Sequence, residues 1–108
     1  MSIMTKASEL TSYRPFHPGE LLKDELSYRN IKQKDLAQRM GLSYTALNEV
    51  LNGRRTLSTE LALMLEAYLG VSADLLMRMQ TDYNLQISRS NANLLARLAE
   101  LRKYAAAF

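Results

Sequence analysis

The chain has 108 residues, which is enough for one domain with a modest core and too few for two. Fourteen Lys and Arg side chains against eleven Asp and Glu give a net charge of +3, and the absence of cysteine excludes disulfides and thiolate metal sites. No apolar run is long enough to span a membrane or to form the core of a signal peptide, so we expect a cytoplasmic protein. Leu, Ala and Met are frequent and no strand-like alternation persists, which predicts an all-α fold.

The N-terminal segment and the first helix differ in their patterns. Residues 1–15 have mixed composition and little periodicity, and we predict that they form a flexible tail. Pro18 suits the first position of a helix and disfavours the α conformation in the residue before it. Leu22 and Leu26 then form an apolar face at helical spacing, and we expect this helix to stop near Asn30.

His17 precedes this helix and is the only histidine. No second type of metal ligand clusters near it, so we interpret it as a residue of the helix cap and not as a metal ligand or catalytic group. The chain also lacks a nucleophilic cysteine, a carboxylate pair in a plausible cleft and a glycine-rich phosphate loop. We therefore predict no enzymatic activity and no cofactor.

Residues 31–55 are predicted to form two short helices joined by a tight turn. The apolar residues at helical spacing are Leu36, Ala37 and Met40 in the first helix, and Leu47, Val50 and Leu51 in the second. Gly41 tolerates the backbone conformation that ends a helix, and Ser43 is a suitable N-cap for the next. Asn52 and Gly53 then end the second helix. This arrangement is a helix-turn-helix, whose second helix enters the major groove of DNA.

The charge of the chain is confined to the same stretch. Residues 31–55 contain five basic and two acidic side chains, so they alone account for the net charge of +3. The remainder of the chain sums to zero. A charge excess restricted to one motif indicates a surface for a polyanion.

One polar face of the second predicted helix is expected to read base edges. Thr45, Asn48 and Asn52 share this face, and Tyr44 and Glu49 flank it. Asparagine pairs with adenine through two hydrogen bonds, the threonine methyl group contacts thymine, and glutamate accepts from cytosine. An ordinary solvated face would show similar residues. The apolar spacing, the glycine turn and the confined charge together favour DNA binding.

The predicted contacts to DNA phosphates lie at the two edges of the motif. Gln33 and Lys34 come at the start of the first helix, where backbone N–H groups also favour an anion. Arg54 and Arg55 follow the second helix and are predicted to bind the DNA backbone. Taken singly, basic side chains of this kind are more often only solvated.

Two further helices are predicted to close the core over this pair. Ser58 caps the first and Gly70 ends it, and Ser72 caps the second. Their apolar positions are Leu61, Ala62, Leu65 and Leu69 in the first, and Leu75, Leu76 and Met79 in the second. Tyr83 is expected to lie as a lid on that core.

Residues 16–85 resemble the HigA antitoxin branch of the Xre/Cro-type helix-turn-helix family. The segments that carry the resemblance follow the order expected of that branch and read HPGELL, NGRR, STELA, LGVSADLL and QTDYNL. The sequence departs at Leu76, where members often carry tryptophan. The resemblance implies a five-helix lambda-repressor-like helix-turn-helix domain, dimerisation, and repression of the protein's own operon through a palindromic operator. It also implies neutralisation of a RelE-like, mRNA-cleaving toxin of the HigB type.

The resemblance also assigns DNA-reading roles to residues that the helix pattern had selected. These DNA-reading roles carry over onto Gln33, Ser43, Thr45, Asn48 and Asn52, and less strictly onto Tyr44 and Arg54. Two alternatives stay open. One is a stand-alone Xre-type transcription regulator without a toxin, and the other is a protein-interaction module that kept the fold and lost DNA binding.

Residues 86–108 are predicted to form an extra C-terminal helix for self-association or partner binding. A spacing of four and three, typical of a coiled coil, relates Ile87, Asn91, Leu94, Leu98, Leu101, Ala105 and Phe108. Asn91 is a polar position that can fix the register of such a helix. A helix this short needs a partner, which is a second subunit, the chain's own core or the toxin. We favour self-association, with the predicted interface formed by Leu94, Leu98, Leu101 and Phe108.

Overall fold

The computed structural model describes residues 16–106, which form six α-helices and no strand. The helices are α1 (Pro18–Tyr28), α2 (Gln33–Met40), α3 (Tyr44–Leu51), α4 (Thr59–Leu69), α5 (Ala73–Arg89) and α6 (Ala92–Ala106). The all-α prediction is confirmed. The predicted tail and Phe108 lie outside the described residues. None of the six helices is both long and apolar enough to cross a membrane.

The helix ends follow from local sequence. Ser43, Ser58 and Ser72 each accept a hydrogen bond from a backbone N–H three residues later, at 3.0, 3.1 and 3.2 Å. Gly41 and Gly70 end α2 and α4 with φ angles of 68° and 76°, in the left-handed region that glycine adopts without strain. These predicted caps are confirmed.

The buried core belongs to the first five helices. The buried hydrophobic side chains that form this core run from Leu22 to Leu76, and Pro18 at the start of α1 is also fully buried. Leu75 is a correction to the sequence prediction, because it is 42% exposed. It lies about 100° around the helix from Leu76, on the outer side of α5. Met79 is half-buried, and Tyr83 covers His17 at the edge of the core.

α1 packs tightly against the end of α3. A Cβ atom on Gly19 would lie only 2.3 Å from the backbone oxygen of Val50 and 2.7 Å from that of Leu51. Only glycine allows this approach, because no side chain can be accommodated there. The contact fixes the first helix next to the helix predicted to read DNA.

The C-terminal segment differs from the single coiled-coil helix that the spacing predicts. α5 runs through Ile87 to Arg89, and α6 begins only after a break. Asn91 lies at this break, where its Oδ1 accepts a hydrogen bond from Leu94 N–H at 3.1 Å. The prediction of a continuous seam through Ile87 and Asn91 is therefore wrong, because Asn91 caps a new helix.

Three of the predicted interface residues, Leu94, Leu98 and Leu101, lie on α6 at helical spacing. Leu94 and Leu98 are half-buried, and Leu101 is 62% exposed. The rest of the described chain, mainly α5, therefore covers this helix only in part. Its role in an interface remains a prediction.

Candidate nucleic-acid interface

The helix pair α2–α3 buries its apolar side and leaves its polar side outward. Leu36 of α2 and Leu47 of α3 are fully buried, which fixes how both helices are rotated. Thr45 and Asn52 are exposed as a result, and Asn48 is half-buried. The three predicted base-reading side chains thus share one accessible face, which we call the α3 face.

A hydrogen bond between two side chains joins the helices across this face. Asn48 Nδ2 donates to Gln33 Oε1 at 2.9 Å, and both side chains are half-buried. The bond uses one donor of Asn48 and the acceptor atom of Gln33. Asn48 Oδ1, its second N–H and the Gln33 amide donors stay available for a ligand. Because the two amides are held in place, less side-chain entropy is lost when a base is bound.

Residues at the start of each helix lie beside this amide pair. Ser43 Oγ accepts from Ala46 N–H at 3.0 Å, so its hydroxyl caps α3 and can still donate its own hydrogen. Lys34 on α2 is exposed, and Tyr44 on α3 is 52% exposed. All three are accessible at the N-terminal ends of α2 and α3, as DNA contacts require.

Asn52 caps the other end of α3, and both polar atoms of its side-chain amide form hydrogen bonds. Its Nδ2 donates to the backbone oxygen of Asn48 at 2.9 Å, and its Oδ1 accepts from Lys23 Nζ at 3.0 Å. Lys23 is on α1 and is not among the residues that the sequence predicts at this site. No local pattern could reveal it, because the two partners are separated by 29 positions along the chain.

The two arginines after α3 have different partners. Arg55 Nη2 pairs with Glu49 Oε1 at 2.6 Å, so the two predicted contacts neutralise each other in the free protein. The Arg54 side chain is exposed and forms no ion pair within residues 16–106. Arg54 therefore presents a charge for a phosphate, whereas Arg55 must first exchange its carboxylate partner.

His17 anchors the loop that carries these arginines. Its Nδ1 accepts from Gly19 N–H at 2.9 Å, its ring lies edge-on to Tyr83 at 4.9 Å, and it hydrogen-bonds the backbone of Arg55. Burial lowers the pKa of His17 below 6.5, although the bond to Arg55 and the Glu20 carboxylate act in the opposite direction. The predicted cap role is confirmed. The described part of the chain contains no cluster of ligands that could hold a metal ion.

Comparison with known proteins gives the family. Residues 29–76 match the helix-turn-helix family profile. This range contains α2, α3, α4 and the start of α5. Over 92 residues the chain is 30% identical to Virulence-associated protein I of Dichelobacter nodosus, covering 84% of this chain and 82% of that protein. The antitoxin HigA of Pseudomonas aeruginosa, solved with the higBA promoter, is 33% identical with a TM-score of 0.67, covering 71% of this chain and 85% of that one. The chain belongs to the HigA-type antitoxin family of Xre-like helix-turn-helix proteins.

A second HigA-family structure supports the same assignment. The addiction module antidote protein of Coxiella burnetii is 27% identical with a TM-score of 0.65, covering 70% of this chain and 84% of that one. Members of this family are antitoxins and transcription regulators, and they are not enzymes. In this HigA-type chain Leu76, where members often carry tryptophan, is fully buried. The smaller side chain is therefore accommodated in the core.

Proposed function

We propose that this HigA-type protein is a cytoplasmic repressor that binds the operator of its own operon as a dimer and neutralises a HigB-like toxin. The observation that carries the DNA-binding part is the α3 face. Its amides are accessible, held by the bond between Gln33 and Asn48, and bordered by the exposed cations Lys34 and Arg54. The Pseudomonas aeruginosa HigA structure with the higBA promoter supports the same activity.

Binding divides into a part that depends on salt and a part that depends on sequence. Lys34 and Arg54 neutralise phosphates, which releases counterions and makes the affinity fall as salt rises. Thr45 and Asn48 contact base edges, and each good contact with two hydrogen bonds discriminates by about 1–3 kcal/mol. A dimer presents two α3 helices to half-sites about 34 Å apart, one turn of DNA, which accounts for a palindromic operator.

Asn48→Ala tests sequence readout. We expect affinity for a duplex selected from a random pool to fall about 5- to 150-fold, the equivalent of 1–3 kcal/mol, with a much smaller loss on random DNA. Fluorescence anisotropy measures both affinities. Thermal unfolding checks whether losing the hydrogen bond to Gln33 lowers the stability of the variant. Asn93→Ala, at an exposed position on α6, is the matched control. Equal losses on the two duplexes would remove Asn48 from readout.

The antitoxin part rests on the family and needs its own test. A small basic protein encoded next to this chain should copurify with it when the two are coexpressed. The purified complex should cleave mRNA more slowly than the toxin alone. If selected DNA is bound and the neighbouring product neither copurifies nor cleaves mRNA, the protein is a stand-alone regulator. If DNA is not bound either, the protein-interaction module becomes the better explanation.

A further inference from the structure

The packing of α1 on α3 determines where Lys23 lies. Gly19 makes the close approach to the last carbonyl groups of α3. Lys23 comes four residues later on α1, so it lies on the same side of that helix, one turn along. Its side chain therefore extends along the C-terminal end of α3, where its Nζ reaches Asn52 Oδ1 at 3.0 Å.

The partner of Lys23 leaves its charge available. α1 carries the acids Glu20, Asp24 and Glu25, yet the Lys23 ammonium group bonds an amide oxygen and forms no ion pair with any carboxylate of residues 16–106. The C-terminal end of a helix carries partial negative charge, which favours a cation at this place. A positive charge is thus held at the end of the α3 face without being neutralised.

Arg55 differs from Lys23 in the partner that its charge has. The sequence places it among the phosphate contacts, but its guanidinium group is bonded to Glu49 at 2.6 Å. Lys23 lies outside residues 31–55 and is brought to the α3 face only by the fold. The charge available for DNA at this end of α3 therefore comes from Lys23 and Arg54.

We propose that Lys23 is a further DNA-contacting residue, whose ammonium group binds a backbone phosphate while Asn52 holds it at the end of α3. The inference rests on the proposed function. An ammonium group has three N–H donors, of which one serves Asn52 and two remain for phosphate oxygens. Because the side chain is already held, binding orders it at a lower entropic cost.

The test is the salt dependence of Lys23→Gln on a random-sequence duplex of about 30 base pairs, where phosphate contacts supply the affinity. Each phosphate contact contributes about 0.9 to the slope of log K against log salt, so we expect the slope to decrease by about 0.9 per subunit. Lys23→Arg should keep the wild-type slope. Lys103→Gln, which removes an exposed lysine that faces Glu100 on α6, should also leave the slope unchanged.

The outcomes separate this proposal from the proposed function. If the wild type binds and Lys23→Gln keeps its slope, Lys23 contacts no phosphate and DNA binding by the α3 face still stands. A lower affinity with an unchanged slope assigns Lys23 to the orientation of Asn52 and also overturns the phosphate contact. If the wild type binds neither random nor selected duplexes at low salt, both proposals fail. Thermal unfolding of each variant shows whether it is folded.

Discussion

Residues 16–80 and residues 81–105 are both mainly helical, but they differ in what stabilises them. Up to Gln80 each helix buries apolar side chains in a shared core. After Gln80 no side chain described by the structure is buried, and Tyr83, Leu94 and Leu98 are only half-buried. The exposed apolar residues of this second region are Leu85, Ile87, Leu95, Leu101 and Tyr104. Within residues 16–106 the apolar side of α6 is thus covered only in part, and its coverage by a second molecule remains a prediction.

The largest expected effect is on the core. Leu76→Ala should lower the free energy of unfolding by about 2–5 kcal/mol, because it removes a fully buried side chain and leaves a cavity. Leu95→Ala on α6 should change it by less than about 0.5 kcal/mol in a dilute sample, because Leu95 is 42% exposed. Urea denaturation measures both. Equal losses would mean that α6 belongs to the same core as residues 16–80.

Gln80 marks the boundary between the two regions. Replacing it should give the next largest decrease in the free energy of unfolding. Its Oε1 accepts from Leu57 N–H at 2.9 Å, and its Nε2 donates to Asn84 Oδ1 at 2.9 Å. Gln80→Leu leaves the buried Leu57 N–H without a partner, which costs about 1–3 kcal/mol of unfolding free energy. Asn84→Ala removes only the second bond, at an exposed position, and should cost clearly less. A larger loss for Asn84→Ala would show that the boundary lies farther along α5.

Local sequence was sufficient to predict the ends of the helices within residues 16–80. The caps at Ser43, Ser58 and Ser72 and the stops at Gly41 and Gly70 depend on a few adjacent residues, so they could be predicted without knowing the fold. The outward face of α3 could also be predicted, because its apolar spacing fixes the rotation of the helix.

Contacts between distant residues could not be predicted in this way. The bonds from Lys23 to Asn52 and from Leu57 to Gln80 join residues that only the fold brings together. The pairing of Glu49 with Arg55 depends on how the loop after α3 turns. Asn91 is different, because asparagine favours N-caps and this preference was a usable sequence signal.

His17 links residues 16–80 to the first turn beyond Gln80 through its contact with Tyr83. Its pKa in the folded chain lies below 6.5, so the unfolded chain binds a proton more readily. This contribution to stability is complete above the unfolded pKa and is lost as the pH falls through the folded pKa. Urea denaturation between about pH 8 and about pH 5 should show this decline. His17→Asn keeps a capping side chain but cannot titrate, so an equally steep decline in that variant would assign the effect to other groups.

The smallest expected effect on unfolding of the isolated chain concerns the exposed leucines. Leu101 on α6 and Leu63 on α4 are 62% and 54% exposed, so replacing either with Glu should change the unfolding free energy of a dilute sample by less than about 0.5 kcal/mol. The two variants should differ in self-association. A charge placed in an apolar interface loses its hydration, so Leu101→Glu should dissociate a dimer formed through α6. Sedimentation equilibrium measures the mass of each variant. If Leu63→Glu alone dissociates the dimer, the interface includes α4, and the exposed side of α6 is left for a partner of different sequence.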